Sequence, residues 1–274
     1  MPSRRQFLTA AGTTLCAGLP LPIAAQPLVD IKLGVASYSL RAKKFPEMVQ
    51  ALKDLKVKYV KIKLEAHLPF NATASQISEA KKMLEDAGIV LESTGNNPMQ
   101  KDEAEIRMKF EFNKRLGVPL MIIAPTMQTL PIVEKCVKEY GIKVALHNHG
   151  PEDPHFPTAK SVLDAVKGMD PGVGLCFDIG HSARTGEDLI AAVRLAGPRL
   201  LDLDVKDLRN KMEKESQCDV GDGELPLAGI FRELQKIRYA GIVHLEYEIN
   251  AGNPVPGMQR SFFHMRGILA GMRV

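Results

Sequence analysis

The sequence of 274 residues predicts a single closed (β/α)₈ barrel, on three observations. Eight short apolar runs alternate with eight segments of helical periodicity from residue 31 onward. Several helical segments end in glycine with an apolar run directly after, as at residues 86–89 and 139–142, which is typical of short helix-to-strand turns. The first apolar run continues into residues 36–40 without a G-x-G-x-x-G loop, which disfavours a dinucleotide-binding doubly wound sheet.

The predicted strands share the composition of buried parallel strands, short runs rich in Val, Ile and Leu. They cover residues 31–38, 58–64, 89–94, 120–124, 142–147, 173–178, 200–205 and 242–246. The predicted helices follow these strands in order and cover residues 46–56, 75–87, 102–116, 130–140, 158–167, 186–195, 227–237 and 259–272. Because no linker or low-complexity tract interrupts the alternation, we predict one domain over residues 26–274.

The first 25 residues are set apart from the fold. Residues 3–8 read SRRQFL and precede an uncharged, apolar stretch that ends at Ala25. This segment resembles twin-arginine export signals, whose pattern is Ser/Thr-Arg-Arg-x-Phe-Leu. The resemblance implies a cleaved leader over residues 1–25 and a periplasmic protein, and a basic N-terminal tail is the alternative. The stretch is too short, and too rich in Gly and Pro, for stable membrane insertion.

Composition limits the partners. The chain is 45% hydrophobic and 25% charged, which is ordinary for a globular protein and excludes a disordered or collagen-like chain. Its net charge of +4 falls to +2 without the two arginines of the leader, and it has no Trp. We therefore expect no nucleic-acid partner. Three cysteines remain after the leader, so at least one thiol is unpaired.

Alternation within the strands assigns side chains to the barrel interior. A barrel strand turns its apolar set toward the helices, and its other set points inward and reaches the mouth at the C-terminal end. By this rule, strands five to eight each end with an inward acid or imidazole. These residues are His147 and His149, Asp178, Asp202 and Asp204 with Lys206, and His244 and Glu246.

Unpaired buried carboxylates are costly, so a positive charge must accompany them. A divalent metal ion is the favoured partner, and mixed nitrogen and oxygen ligands suit Mn²⁺, Fe²⁺, Co²⁺ or Zn²⁺ better than Ca²⁺. The alternative is a ring of salt bridges with Lys63, Lys206 and Arg184.

Four blocks of the sequence together resemble the xylose isomerase-like TIM barrels. They are LHNHGPED at 146–153, CFDIGH at 176–181, DVKD at 204–207 and EYE at 246–248. That superfamily contains sugar isomerases, sugar epimerases, inosose dehydratases and AP endonucleases of the endonuclease IV type. The similarity covers nearly the whole chain after the leader.

The resemblance implies one metal ion held by residues from strands five to eight. Carried over by position, the ligands are His147, Asp178, Asp204 and Glu246, with His149 competing for the place of His147. The family commonly has Glu, Asp, His and Glu there, so His147 and Asp204 depart from its pattern. Loading of the folded protein in the cytoplasm before export favours Mn²⁺ first, with Fe²⁺, Co²⁺ or Zn²⁺ as alternatives.

Further roles follow from the inward positions. We expect His149 and Glu246 to serve as acid–base residues and Lys206 to assist an oxyanion, a structural cation being the alternative for Lys206. Contacts with the substrate are predicted for Glu65, taken as inward at the end of the second strand, and for His67, His181 and Glu152. The alternative for Glu65, His67 and His181 is that they are loop or turn residues without a role in binding, and Glu152 belongs to a Pro-rich loop expected to close over the mouth.

The resemblance implies an exported, metal-dependent isomerase or epimerase that forms an enediolate on a non-phosphorylated sugar. Paired histidines on strand five are more similar to inosose dehydratases, so a lyase or dehydratase of a keto-sugar, such as a 3-keto-glycoside, is the close alternative. An AP endonuclease-like enzyme and a non-catalytic sugar-binding protein are weaker alternatives. A homodimer is suggested by family analogy alone.

Overall fold

The computed structural model describes residues 29–272, in which eight parallel strands close into a barrel. Each strand pairs with its neighbours in chain order, and the first pairs with the last. The barrel strands are β1 Lys32–Ala36, β2 Tyr59–Ile62, β3 Val90–Met99, β4 Leu120–Pro125, β5 Lys143–His147, β6 Val173–Asp178, β7 Leu200–Val205 and β8 Ile242–Leu245. The predicted fold class is confirmed, whereas the predicted leader lies outside the described residues.

Ten α-helices accompany the strands in the described part of the chain. They are α1 Phe45–Asp54, α2 Leu64–His67, α3 Ala74–Asp86, α4 Glu103–Leu116, α5 Leu130–Tyr140, α6 Ala159–Ala165, α7 Ile179–Ala183, α8 Leu189–Ala196, α9 Leu227–Lys236 and α10 Val255–Gly271. Single 3₁₀ turns cover Ser37–Leu40 and Gly197–Arg199, and Asp207–Leu208 pairs with Gln217–Cys218 in a small antiparallel hairpin.

Local sequence accounts for the ends of these helices. Thr73 accepts a hydrogen bond from the backbone N–H of Gln76 and so caps α3, and Asp102 caps α4 in the same way. Gly117 and Gly141 adopt left-handed conformations, with φ of 81° and 68°, and end α4 and α5. The αβ turns inferred from glycine therefore hold at Gly141, where β5 begins two residues later.

The interior of the barrel is chemically divided. A small apolar cluster of Leu120, Ile122, Ala145 and Cys176 is separate from the main core between strands and helices. Buried polar side chains from β2, β7 and β8 share the interior with it. Cys136, Cys176 and Cys218 are buried free thiols, which agrees with the expected unpaired cysteine.

Within residues 29–272, no helix is both long enough and apolar enough to cross a bilayer.

Candidate metal and substrate site

The C-terminal ends of β5 to β8 bring the four predicted ligands together. His147 and Asp178 are the last residues of their strands, Asp204 is the last but one of β7, and Glu246 directly follows β8. Asp178 and Asp204 are paired neighbours in the register, and the backbone N–H of Glu246 donates to Val205 O at 2.9 Å. One ligand atom from each of the four residues lies within 4.8 Å of the others.

The spacing of these atoms fits a shared cation. His147 Nε2 lies 3.5 Å from Asp178 Oδ2 and 3.5 Å from Asp204 Oδ2. Ligands about 2.1 Å from a metal ion in a tetrahedron are roughly 3.4 Å apart. Asp178 Oδ1 accepts the backbone N–H of His181 at 2.8 Å. Buried Oδ2 makes no hydrogen bond among the described residues, and the ammonium group of Lys206 lies 3.0 Å from it as an ion pair. Asp178 therefore uses one oxygen to cap α7 and turns the other toward positive charge.

The net charge of the barrel interior also favours a bound cation. The carboxylates of Asp178, Asp202, Asp204 and Glu246 face two buried ammonium groups, which leaves two negative charges when His147 is neutral. Burial raises the pKa of Glu246 to about 7, against the opposing effect of Lys206. Burial alone would lower the pKa of His147, but Asp178 and Asp204 raise it to about 10. The rise for His147 shows that the carboxylates around it favour a positive charge at this position.

Lys206 neutralises part of the cluster. Its buried Nζ lies 3.0 Å from Asp178 Oδ2, 3.1 Å from Glu246 Oε2 and 2.7 Å from Glu248 Oε2. Burial opposes its charge, yet Asp178 and Glu246 raise the pKa of Lys206 well above its ordinary value. Lys206 is therefore a cation at the edge of the site, and Glu248 is a neighbour that the sequence analysis missed.

The alternative of a ring of salt bridges is wrong for two of its three cations. Lys63 Nζ pairs with Glu65 at 3.0 Å, and Arg184 Nη1 pairs with Glu152 at 2.6 Å, so neither contacts the four ligands. The cation that joins Lys206 is Lys61, whose Nζ lies 2.6 Å from Asp204 Oδ2. Alternation on β2 could have found Lys61, because Val60 and Ile62 flank it and face the helices.

His181 is held by its neighbour Arg184. Arg184 Nη2 donates to His181 Nδ1 at 2.9 Å, and since arginine has no acceptor, the ring proton of neutral His181 is on Nε2. Nε2 lies 3.7 Å from Asp178 Oδ2. Burial lowers the pKa of His181 to about 2. His181 thus faces the cluster as a neutral hydrogen-bond donor, which suits contact with a substrate oxygen better than metal ligation.

Asn148 connects the ends of β5 and β6. Its Oδ1 accepts the backbone N–H of Asp178 at 2.9 Å, and its Nδ2 donates to Asp178 O and to Ser182 Oγ, each at 3.0 Å. Asn148 therefore fixes the backbone of a predicted ligand. Asn148 lies within the block at 146–153, but strand alternation assigns it no role.

A cavity of 280 Å³ opens beside the cluster at the mouth of the barrel. Its walls include His149, His181, Arg184, Lys206, Gln217 and Glu248. The ring of His149 lies 4.3 Å from the ring of His181 between centroids, and its nitrogens make no hydrogen bond within residues 29–272. The structure therefore brings His149 to the pocket and His147 to the cluster.

Two predicted substrate contacts lie elsewhere. The expectation that Glu65 points inward from strand two is wrong, because β2 ends at Ile62 and the chain turns into α2, where Glu65 is exposed and paired with Lys63.

The ring of His67 is buried, with Nδ1 3.0 Å from Ser37 Oγ and Nε2 3.3 Å from Leu40 O. His67 lines a different pocket, near α1 and α3, so the structure does not bring it to the cluster. Glu152 lines the cavity through its pair with Arg184.

Known proteins resemble this chain in sequence and in fold. A family model described as the xylose isomerase-like TIM barrel matches residues 36–267. An inosose dehydratase of Mesomycoplasma hyopneumoniae (strain 7448) is 26% identical over 50% of this chain and 51% of its own length. The chain thus spans about half the length of the curated relatives it matches.

Solved structures extend the likeness over most of the chain. The IolI protein, solved with a zinc atom, has a TM-score of 0.73 at 17% identity and covers 88% of this chain and 99% of its own. The 3-keto-D-glucoside 4-epimerase YcjR from E. coli has a TM-score of 0.72 at 15% identity and covers 87% of this chain and 100% of its own. At such identities, these two likenesses show the shared barrel fold.

Proposed function

The chain belongs to the xylose isomerase-like TIM barrel family, and on this premise we propose that it is a metal-dependent enzyme that removes a proton next to the carbonyl of a non-phosphorylated sugar derivative. The observation that carries the proposal is the cluster of His147, Asp178, Asp204 and Glu246, whose ligand atoms lie within 4.8 Å at the floor of the mouth. The open cavity beside it offers the place for the substrate.

The four residues would hold the cation, and when bound it supplies Lewis-acid polarisation of a carbonyl. We propose Mn²⁺ as the ion, with Fe²⁺, Co²⁺ and Zn²⁺ as competitors, and the zinc of the IolI protein makes Zn²⁺ the first of these to test. The mixed imidazole and carboxylate donors, which lie within 4.8 Å of one another, support this class of ion.

Residues at the cavity supply the acid–base groups and the groups that stabilise negative charge on the substrate. His149 has free ring nitrogens at the cavity and is placed to take the proton. His181 presents Nε2–H, and Lys206 presents an ammonium group, so both can stabilise negative charge on a substrate oxygen. Glu246 directly follows β8, three strands from β5 around the barrel, so it can return a proton from a different direction than His149. This arrangement supports an isomerase or epimerase.

The charges of the cavity support a substrate without phosphate. Arg184 is paired with Glu152, and Lys206 with Glu248. Lys214 is the remaining cation in the described lining, and its charge helps to lower the pKa of Glu152. Each of these cations already has a carboxylate partner or neighbour. The lining therefore lacks an unpaired guanidinium group that could bind phosphate through two hydrogen bonds.

Elimination from a keto-sugar is the second candidate. The curated relatives are named inosose dehydratases, and His147 occupies the place where the family commonly has a glutamate. A proton removed next to the carbonyl leads to elimination when a β-oxygen leaves, and to isomerisation or epimerisation when the enediolate is reprotonated.

The direct test is turnover of keto-sugars by the purified, metal-loaded protein. We expect reaction with a 3-keto-glycoside, an inosose or a free ketose, and loss of that reaction in Asp178→Asn. An epimer or isomer as product supports the first candidate, and an unsaturated product supports the second. Binding without turnover would instead identify a sugar-binding protein, and cleavage of DNA at an abasic site would identify an AP endonuclease-like enzyme.

We further propose that the protein is exported to the periplasm through the twin-arginine route, on the basis of residues 3–8. The wild type should appear in the periplasm shortened by about 25 residues, the length of the export segment. Replacement of both Arg4 and Arg5 by Lys should leave full-length precursor in the cytoplasm. Unchanged export of that variant would contradict the proposal.

A further inference from the structure

A second group of cation-binding side chains lies against the four candidate ligands. Asp202, Asp204 and His244 place ligand atoms within 4.8 Å of one another, and all three residues are buried. Asp204 belongs to both groups. His244 Nδ1 lies 2.8 Å from Asp202 Oδ1, while its buried Nε2 has no hydrogen-bond partner among the residues described.

The ammonium group of Lys61 lies between the two aspartates of this group. Its Nζ lies 2.8 Å from Asp202 Oδ2, 2.5 Å from Asp204 Oδ1 and 2.6 Å from Asp204 Oδ2. Lys61 reaches them from β2, and its side chain is only 3% exposed. Cys176 Sγ is its next neighbour, at 3.9 Å.

Two carboxylates this close in a dry interior need a cation between them. A divalent ion could supply it, because two carboxylates and an imidazole are a common ligand set. Lys61 supplies a positive charge in the same place through a covalent tether, so the charge cannot be chelated or exchanged.

We propose that the ammonium group of Lys61 permanently takes the place of a second metal ion, so that the barrel holds one divalent ion where its carboxylates could hold two. Lys61 also contacts both oxygens of Asp204 and therefore positions that carboxylate for the first ion. The inference rests on the proposed function only for that first ion.

The test is the number of metal ions bound per chain, measured by elemental analysis after expression and dialysis with Mn²⁺. Lys61→Ala removes the charge and opens space, whereas the matched variant Lys61→Met removes the charge and keeps most of the volume. We expect one ion in the wild type, two in Lys61→Ala and one in Lys61→Met. If the wild type binds no ion, that result refutes the proposed metal site. Even then, Lys61→Ala should bind one ion more than the wild type, so the inference about Lys61 is tested separately.

A wild-type ion count in folded Lys61→Ala would overturn the inference. If Lys61→Ala does not fold, Lys61→Ala combined with Asp202→Asn decides the question, since this pair removes one positive and one negative charge. Recovered folding of the double variant supports a charge-compensating role for Lys61. Failure of the double variant to fold would show that Lys61 acts through packing and would also overturn the inference.

Discussion

Replacing Asp178 by Asn should abolish most of the stabilisation that a divalent cation gives to the folded protein. Asp178 is fully buried, and its Oδ2 lies 3.5 Å from His147 Nε2 and 3.0 Å from Lys206 Nζ. Asparagine keeps the size of the side chain and an oxygen that can accept the N–H of His181 at the start of α7. The change therefore removes a charged ligand and leaves the local backbone bonds in place.

The size of the effect follows from linkage between binding and folding. A cation at about 1,000 times its Kd stabilises the protein that binds it by about 4 kcal/mol. In a domain of this length each kcal/mol moves Tm by roughly 2–4 °C, so the wild type should gain roughly 8–16 °C. Loss of a direct ligand should weaken binding by more than the about 100-fold that loss of a partner of a ligand costs. Less than about 1.4 kcal/mol then remains at the same concentration, or roughly 3–6 °C.

The assay is thermal unfolding of chelator-treated protein with and without added Mn²⁺ or Zn²⁺. Asp207→Asn is the matched control, because Asp207 is also buried but its oxygens accept backbone N–H groups of the following loop. We expect this control to lower the baseline Tm and to keep the full metal-induced rise. An equal rise in Asp178→Asn and in the wild type would refute the assignment of Asp178 as a ligand.

Three further substitutions test the other residues of the site. His149→Ala should keep the metal content and lose roughly 10²–10⁴-fold in kcat, as expected for an acid–base residue, and an unchanged rate would exclude that role. Lys206→Met should cost about 3–5 kcal/mol in the metal-free protein, because Asp178, Glu246 and Glu248 lose their shared cation, and denaturant unfolding with and without metal would measure it. Arg184→Gln should raise KM about tenfold or more at constant metal content, since it releases the His181 ring, and a loss of bound metal instead would place Arg184 in the metal site.

Strong local patterns explain which parts of the fold the sequence predicted. The predicted bounds of β6 and β7 agree with the structure, because each run is apolar at alternate positions and is bounded by Gly, Pro or charged residues. The helices α2 and α7 were missed, since four or five residues are too few to show helical periodicity. Because α2 was not predicted, Glu65 was placed at the end of an extended strand two instead of in this helix.

The same difference between local patterns and distant contacts explains which parts of the site could be predicted. Alternation near strand ends is local, so it placed His147, Asp178, Asp204 and Glu246 on one inner surface, and the structure brings them together. Contacts across the barrel are not local. Lys61 and Asp204 are 143 residues apart, and spacing along the chain carries no sign that one would neutralise the other.

The central claim is that a proton next to a carbonyl is removed and exchanges with water. The most direct measurement follows a keto-sugar deuterated at the carbon beside its carbonyl during turnover by the metal-loaded enzyme. The account predicts that deuterium is released into water and that this release slows roughly 10²–10⁴-fold in His149→Ala. Product that retains the full deuterium label would contradict proton abstraction and would show an intramolecular hydride shift instead.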